Sequence, residues 1–140
     1  LLTDICKATR VEDWKILRSI KGVGPKTAVP FLAEMGSIEN FSSPKKLIAF
    51  AGIDPSVCQS GKLIGRSKLS KRGNRHLRRA IYLMACAVVS QNAFFKVYFD
   101  RWKREGLTPQ RALLATAHKL IRVIFAMLSH RPYFQAKMAI

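Results

Sequence analysis

The sequence predicts an all-α fold, in which a helix-hairpin-helix unit is followed by a bundle of long helices. Apolar residues recur at helical spacing, beginning with Val11, Trp14, Leu17 and Ile20. Glycine, proline and serine stand where helices begin and end, and no stretch shows the alternation with β-branched residues that marks a strand. Hydrophobic residues make up 49% of the 140, enough for one core, so we expect one domain.

Residues 1–52 are predicted to form the N-terminal helices. A first helix over about 11–20 ends at the glycine-rich "KGVG". A second begins with Pro25 at its first position and ends at Gly36, because proline favours the first helical position and glycine the position after the last. Pro30 lies inside this helix and should kink it or disturb its first turns.

The rest of the chain is predicted to be a loop followed by a helical bundle. A short helix, "PKKLIAFA", begins after Ser43 and ends at Gly52. A serine-containing basic loop then covers 53–73, and the bundle covers 74–140. Its helices are expected over about 74–90, 92–105 and 109–130, the last with a packing stripe of Ala112, Ala115, Leu120, Val123, Ile124 and Met127.

The hairpin at 20–26 has the pattern apolar-x-Gly-apolar-Gly-x-x-x-Ala. Gly22 and Gly24 permit backbone angles that a Cβ would forbid, and they leave room for a close approach. The amides of 22–26 would then face a phosphate at a helix N-terminus, with Lys21 and Lys26 adding charge. This predicts a grip on the nucleic-acid backbone that ignores base sequence. A plain αα-corner, or a protein contact, remains the alternative.

The charge of the chain indicates its partner. Lysine and arginine total 25 against 8 acids, a formal net charge of +17. A folded domain repels itself at such an imbalance unless a polyanion neutralises it, so we expect nucleic acid rather than a merely soluble basic surface or anionic lipid. The apolar runs, such as "VIFAML", are too short for a bilayer, and no signal peptide opens the chain, so we expect no membrane.

The positive charge is concentrated between positions 62 and 79. Eight cations fall in these eighteen residues, with no acid among them, a density about 2.5 times the chain average. A charge run can be a solvated face only, but hydroxyls and glycines in the preceding loop favour a phosphate site. The three arginines of the helix share one side by their spacing. The cations are Lys62, Arg66, Lys68, Lys71, Arg72, Arg75, Arg78 and Arg79.

Cysteine and histidine do not form a metal-binding pattern. Cys6, Cys58 and Cys86 lie far apart, and no histidine joins them at zinc-like spacing, so we expect no metal in this chain. An odd, scattered count fits reduced thiols in a cytosol. Cys86 lies in the apolar run "YLMACAVV", which predicts a core position.

The acids are too few and too scattered for a two-metal phosphoryl-transfer site. The remaining chemistry is a hydroxyl nucleophile that attacks a phosphodiester, helped by cations that lower its pKa and stabilise the transition state. Ser60, in "QSG" at the head of the basic cluster, is the best-placed candidate, and Ser56, Ser67 and Ser70 are rivals. On spacing alone, a structural Ser-Gly turn explains the motif as well.

Several ordered blocks give the chain a family resemblance. The stretch "SIKGVGPKTAVPFLAEMGSIENFSSPKKLIAFAGIDP", then "QSG", then "SKRGNRHLRRAIYLMA", resembles the C-terminal domain of insertion-sequence transposases of the IS110 (IS116/IS902) family. The similarity runs from about position 17 to 134 and includes "YFDRWKREG" and "AHKLIRVIFAML".

The resemblance implies a catalytic role. Such transposases join this domain to an N-terminal RuvC-like domain that carries four acidic, Mg²⁺-binding residues, and the family serine corresponds to Ser60, beside Gly61. That serine attacks DNA, leaving a phosphoserine link and a free 3′-hydroxyl. The block "SKRGN" matches the family, which implies that Ser70, Lys71, Gly73 and Asn74 begin a helix that touches DNA or RNA phosphates.

The resemblance also implies partners. Family members act on DNA, are guided by a structured non-coding RNA and work as assemblies with paired active sites. The chain begins with Leu1 and lacks the acidic tetrad, so we expect a C-terminal fragment that is inactive alone and acts with the missing domain in the bacterial cytoplasm, at the nucleoid. The alternative is a non-enzymatic helix-hairpin-helix module that binds duplex DNA or structured RNA.

Overall fold

The structure, a computed structural model, describes residues 11–53 and 73–130. Within these two ranges it consists of α-helices, one short 3-10 helix and no strand, which confirms the all-α prediction. The helices are, in chain order, α1 (Val11–Arg18), α2 (Pro25–Met35), α3 (Pro44–Ala51), α4 (Arg75–Gln91), α5 (Ala93–Arg104) and α6 (Pro109–His130), and the 3-10 helix is Ile38–Asn40.

The helix ends follow the capping signals in the sequence. Ser43 accepts a hydrogen bond from the Lys46 amide at the start of α3, and Gly52 ends that helix in the left-handed conformation. Asn74 and Asn92 cap α4 and α5 in the same way as Ser43 caps α3. The predicted boundaries agree to within two residues, and α2 continues through Pro30.

The 3-10 helix Ile38–Asn40 was not predicted. The Ser37 side chain accepts a hydrogen bond from the Glu39 amide, and this single turn buries Ile38 against the core. A three-residue turn has too few residues to show a periodic pattern, so no sequence signal separates it from a loop.

Helix α6 forms the centre of the core. It packs against α1, α3, α4, α5 and the 3-10 helix. The predicted stripe is buried except for Ala115, which is half-buried. One continuous cluster of buried apolar side chains takes members from α1 through α6, the largest of them Phe31 and Phe95. Burial of this stripe, rather than helix propensity, supplies most of the stabilisation of such a bundle.

In the described part of the chain, α6 is also the one single helix that is long and apolar enough to cross a bilayer. It is longer than the apolar runs considered in the sequence. More than half of its most apolar window is buried inside the protein, as in the core helix of a helical bundle.

The prediction for Cys86 is wrong, because its side chain is exposed. The core face of α4 consists of Leu77, Ala80, Ile81, Met84, Ala85 and Val88. Cys86 follows that stripe by one residue, about 100° further round the helix, and lies on the solvent face with Tyr82 and Leu83. The apolar run therefore covers both faces of α4, and its composition alone could not separate them.

Candidate nucleic-acid interface

The N-terminal end of α4 carries three of the predicted cations. Arg75 and Arg79 are exposed and Arg78 is half-buried. Their spacing puts the three side chains within about 100° of one another around the helix, opposite or beside the buried stripe. No acid lies in the first turn of α4. Cations are unfavourable at the positive end of a helix dipole, so this end is suited to an anion.

Asn74 orients this helix end through hydrogen bonds within the protein. Its Oδ1 accepts from the amides of His76 (2.9 Å) and Leu77 (3.0 Å). Its Nδ2 donates to Oε2 of Glu34 on α2, at 2.9 Å. Both Oδ1 and Nδ2 of Asn74 therefore have partners within the protein. A phosphate at the start of α4 would meet the arginine side chains rather than the backbone amides of 76 and 77, which already donate to Asn74. The predicted nucleic-acid contact of Asn74 is not tested by these bonds.

The residues on either side of the segment 54–72 meet at the start of α4. The Asn74 amide donates to the Phe50 carbonyl at 2.8 Å. Gly73 has a φ of +80°, and a Cβ there would lie 2.6 Å from the Phe50 oxygen and 2.7 Å from the Gly52 nitrogen. Only glycine fits this contact. The chain therefore leaves α3 and returns to α4 at one point, between Gly52 and Gly73.

His118 fixes the other side of this point. Its Nε2 forms a hydrogen bond with the carbonyl oxygen of Ile53, the residue that follows Gly52. The base of the segment 54–72 is thus held by α3, α4 and α6 together. These contacts of the flanking residues Gly52, Ile53 and Gly73 are called the mount of the segment 54–72.

The hairpin turn between α1 and α2 packs on the other end of α4. Gly22 has a φ of +105°, and a Cβ there would lie 2.9 Å from Cα of Val88. The buried Asn92 donates from Nδ2 to the Lys21 carbonyl at 3.2 Å, while it caps α5. Gly22 therefore allows a close approach between this turn and a helix of the same protein. The sequence had predicted an approach to a phosphate.

Part of the hairpin still faces solvent. Lys21 and Lys26 are exposed, and a Cβ at Gly24 would meet nothing within 4 Å. Val23 is buried, and its amide donates to the Ile20 carbonyl. Position 25 is a proline and has no amide hydrogen. Of the amides at 22–26, this leaves those of Gly22, Gly24 and Lys26, and the last two lie at the start of α2, where the helix dipole favours a phosphate.

The structure does not bring the two predicted phosphate sites together. The hairpin lies beside Val88 and the arginines lie between 75 and 79, so about 14 Å of α4 separates Arg79 from the hairpin. Seven of the predicted residues lie outside the described residues: the nucleophile candidate Ser60, then Lys62, Arg66, Lys68, Ser70, Lys71 and Arg72.

Comparison with known proteins identifies the family. The family described as "Transposase IS116/IS110/IS902 family" matches residues 14–100, which include the hairpin, the segment 54–72 and the whole of α4. The chain belongs to this transposase family. The resemblance inferred from the sequence is thereby confirmed.

Relatives of this transposase-family chain include insertion-element proteins and a gene-inverting protein. It is 34% identical over 123 residues to a 43.6 kDa protein of insertion element IS110 from Streptomyces coelicolor, covering 88% of the chain and 30% of that protein. It is 30% identical over 122 residues to the pilin gene-inverting protein of Moraxella bovis (84% and 38%). The transposase of IS1111A from Coxiella burnetii is 30% identical over 132 residues (89% and 35%). The chain thus spans about a third of the length of these relatives.

The described residues of this family chain do not fit the Mg²⁺ that the family implies. Within 11–53 and 73–130, no three histidine, cysteine or acidic side chains lie together as ligands. Glu34 accepts from Asn74, and Asp100 and Glu105 are ion-paired with Lys96 and Arg101. Mg²⁺ needs carboxylates gathered around one point, and these acids are engaged one by one elsewhere.

Sequence reasoning missed the residues that mount the site. Glu34, Asn92 and His118 each make a hydrogen bond to a residue at least 40 positions away. Asn92 carried a readable signal, since asparagine between two helices is a common cap. Glu34 and His118 carried none, because their partners become neighbours only when the helices pack.

Proposed function

We propose that this chain is the C-terminal part of a longer transposase, and that it binds DNA and supplies the hydroxyl of Ser60 as the nucleophile for strand cleavage and exchange. The family supports a role in DNA transposition or recombination. Two relatives are named as a transposase and a gene-inverting protein. The coverage of about a third of each relative agrees with a further domain outside this chain.

One observation carries the proposal: the residues that flank the segment containing Ser60 meet at the arginine-bearing end of α4. Gly73 packs on Gly52 at backbone distance, and α4 starts one residue after Asn74 with Arg75. A DNA phosphate held by these arginines would therefore lie next to the mount of the segment. Proximity of this kind is a large part of catalysis by positioned groups.

The proposed step balances as a phosphoryl transfer. The Ser60 oxygen forms a bond to a DNA phosphorus, and the bond from that phosphorus to the 3′-oxygen breaks. The serine proton is lost and the departing 3′-oxygen takes up a proton, which gives a phosphoserine link and a free 3′-hydroxyl. Guanidinium groups beside the phosphate would stabilise the charge of the pentacoordinate transition state.

The remaining components of the proposal lie outside the chain. An N-terminal RuvC-like domain would hold Mg²⁺ through its acidic residues, which the described part of this chain does not replace. A structured guide RNA and a homo-oligomer with paired sites complete the proposal, acting at the bacterial nucleoid in the cytoplasm. The chain alone is then expected to bind DNA without cutting it.

The alternative is a binding module without chemistry, which grips duplex DNA or structured RNA through the hairpin. The exposed Lys21 and Lys26 and the open space at Gly24 favour it. The two proposals differ at Ser60, because a binding module has no use for a nucleophile there.

The deciding experiment traps the covalent intermediate. The full-length protein is incubated with its DNA and guide RNA, denatured, and separated to measure the yield of protein–DNA adduct. We expect Ser60→Ala to abolish the adduct while DNA binding is retained, and Ser56→Ala, as the matched control, to leave the yield unchanged. An undiminished yield from Ser60→Ala would remove the nucleophile from the proposal and leave the binding module.

A further inference from the structure

The positive charge of the chain is not accounted for by the basic cluster. Of its 25 cations, eight lie in 62–79, which leaves 17 against all eight acids. Helices α5 and α6 carry an excess: seven cations and two acids lie between positions 93 and 122. The cations are Lys96, Arg101, Lys103, Arg104, Arg111, Lys119 and Arg122.

Two of these cations share an aromatic ring at the junction of α5 and α6. The guanidinium carbon of Arg101 lies 6.0 Å from the ring centre of Tyr98, and Nζ of Lys119 lies 5.9 Å from the same centre. The two charges are thus within about 12 Å of each other. Arg101 also lies 5.4 Å from the ring of Trp102, which packs edge-on against Tyr98. These ring contacts hold the cations in place.

Arg101 makes this surface available to a ligand, with the half-buried Lys119 beside it. The Arg101 side chain is 55% exposed, and its ion pair with Glu105 at 3.4 Å involves Nε and a partner that is itself 51% exposed. An exposed ion pair of this kind contributes little and exchanges readily with another anion. The guanidinium can therefore face a phosphate with its terminal N–H groups while it stays over the Trp102 ring.

We propose that Tyr98, Arg101, Trp102 and Lys119 form a second phosphate-binding surface, the α5/α6 surface, which contacts the backbone of a polynucleotide. It rests on the proposed nucleic-acid role of the chain. A bilayer is a poorer fit, because Tyr98 and Trp102 are half-buried beneath the cations and present no aromatic anchor. Ordered cations above aromatic rings match the groove that follows a nucleic-acid backbone.

This surface adjoins the mount of the segment 54–72. His118, the residue before Lys119, bonds the Ile53 carbonyl at the start of that segment. We expect the second surface to lengthen the footprint on one bound polynucleotide.

The test measures how binding depends on salt. The chain and its Arg101→Gln/Lys119→Gln double variant are titrated with a short duplex DNA of arbitrary sequence and, separately, with a single-stranded RNA. Because two phosphate contacts are lost, the negative slope of log K against log salt should become shallower by about 1.8 on duplex DNA and by about 1.4 on the single strand. The affinity should fall at least about tenfold. Weaker binding of both substrates is expected for backbone recognition, and weaker binding of one alone assigns the surface to DNA or to RNA.

Two controls separate the outcomes. Lys15→Gln/Lys45→Gln removes two exposed charges elsewhere and should change the slope by much less. If the two double variants lose the same affinity and slope, the proposed α5/α6 surface is refuted, since net charge alone would then explain binding. A third variant, Arg75→Gln/Arg79→Gln, is titrated in the same way. If this variant binds as tightly as the unaltered chain, the nucleic-acid role of α4 is wrong. If only the Arg101→Gln/Lys119→Gln variant keeps an unchanged slope, the α5/α6 surface alone is refuted. Unchanged helical circular dichroism verifies that each variant folds.

Discussion

Gly22 and Gly24 flank one buried valine in the hairpin, yet their surroundings are opposite. A Cβ on Gly22 would meet backbone atoms of α4 and require a strained φ, whereas a Cβ on Gly24 would point into open space. Sequence analysis predicts one role for both glycines, approach to a phosphate. In the structure, Gly22 lets two parts of the protein touch, and no pattern within the hairpin could reveal its partner Val88, 66 positions away.

This difference predicts unequal stability effects. Gly22→Ala should lower the free energy of unfolding by about 2–4 kcal/mol, because strain at positive φ adds to overpacking against α4. Gly24→Ala should cost at most about 1 kcal/mol, the difference between glycine and alanine as a helix N-cap. Urea denaturation of both variants measures the two values. Equal losses would contradict the packing described for Gly22.

The exposed position of Cys86 predicts its reactivity. Burial of part of the thiol raises the pKa of Cys86, an effect opposed by a backbone hydrogen bond. A raised pKa means less thiolate at a given pH, so alkylation should be slower than for a free cysteine near neutral pH and should accelerate as the pH rises. A Cys6→Ser/Cys58→Ser variant leaves this thiol alone for measurement by mass spectrometry. If the folded protein stays unmodified at high pH, the exposed position of Cys86 is wrong and its thiol is buried in the core.

At the level of elements, the helices could be predicted from the sequence. The faces of the helices that bear the candidate site could be predicted only in part. Capping residues such as Ser43 and Gly52 are local signals, so the helix boundaries could be found in the sequence. The face of α4 that carries Arg75 and Arg79 also follows from spacing. The mount of that face depends on Glu34 and His118, whose contacts are tertiary and leave no local pattern.

The arginine end of α4 predicts a salt-dependent loss of binding. Arg75→Gln/Arg79→Gln should make the negative slope of log K against log salt for duplex DNA shallower by about 1.8, since each lost phosphate contact removes about 0.9. The control is His76→Gln. His76 is exposed in the same turn, and its replacement leaves every lysine and arginine of the helix in place. Fluorescence anisotropy over a salt series measures both slopes. A slope that does not change would show that α4 does not bind phosphate.

At the level of the whole molecule, the chain combines a closed helical core with positive charge at several sites on its surface. The core was foreseeable from composition and periodicity. The separation of the hairpin from the α4 arginines was not, because it depends on which end of α4 each helix meets. Gly73 marks the point on which the proposed function depends, since it packs against Gly52 beside the start of α4.

The central claim is that this mount serves a covalent step at Ser60. The most direct measurement digests the trapped protein–DNA adduct of the full-length protein and locates the nucleotide remnant by mass spectrometry. We predict a remnant on the peptide that contains Ser60, attached at that side chain. A remnant on Ser56, Ser67 or Ser70, or strand exchange without any covalent link to this chain, would contradict the claim.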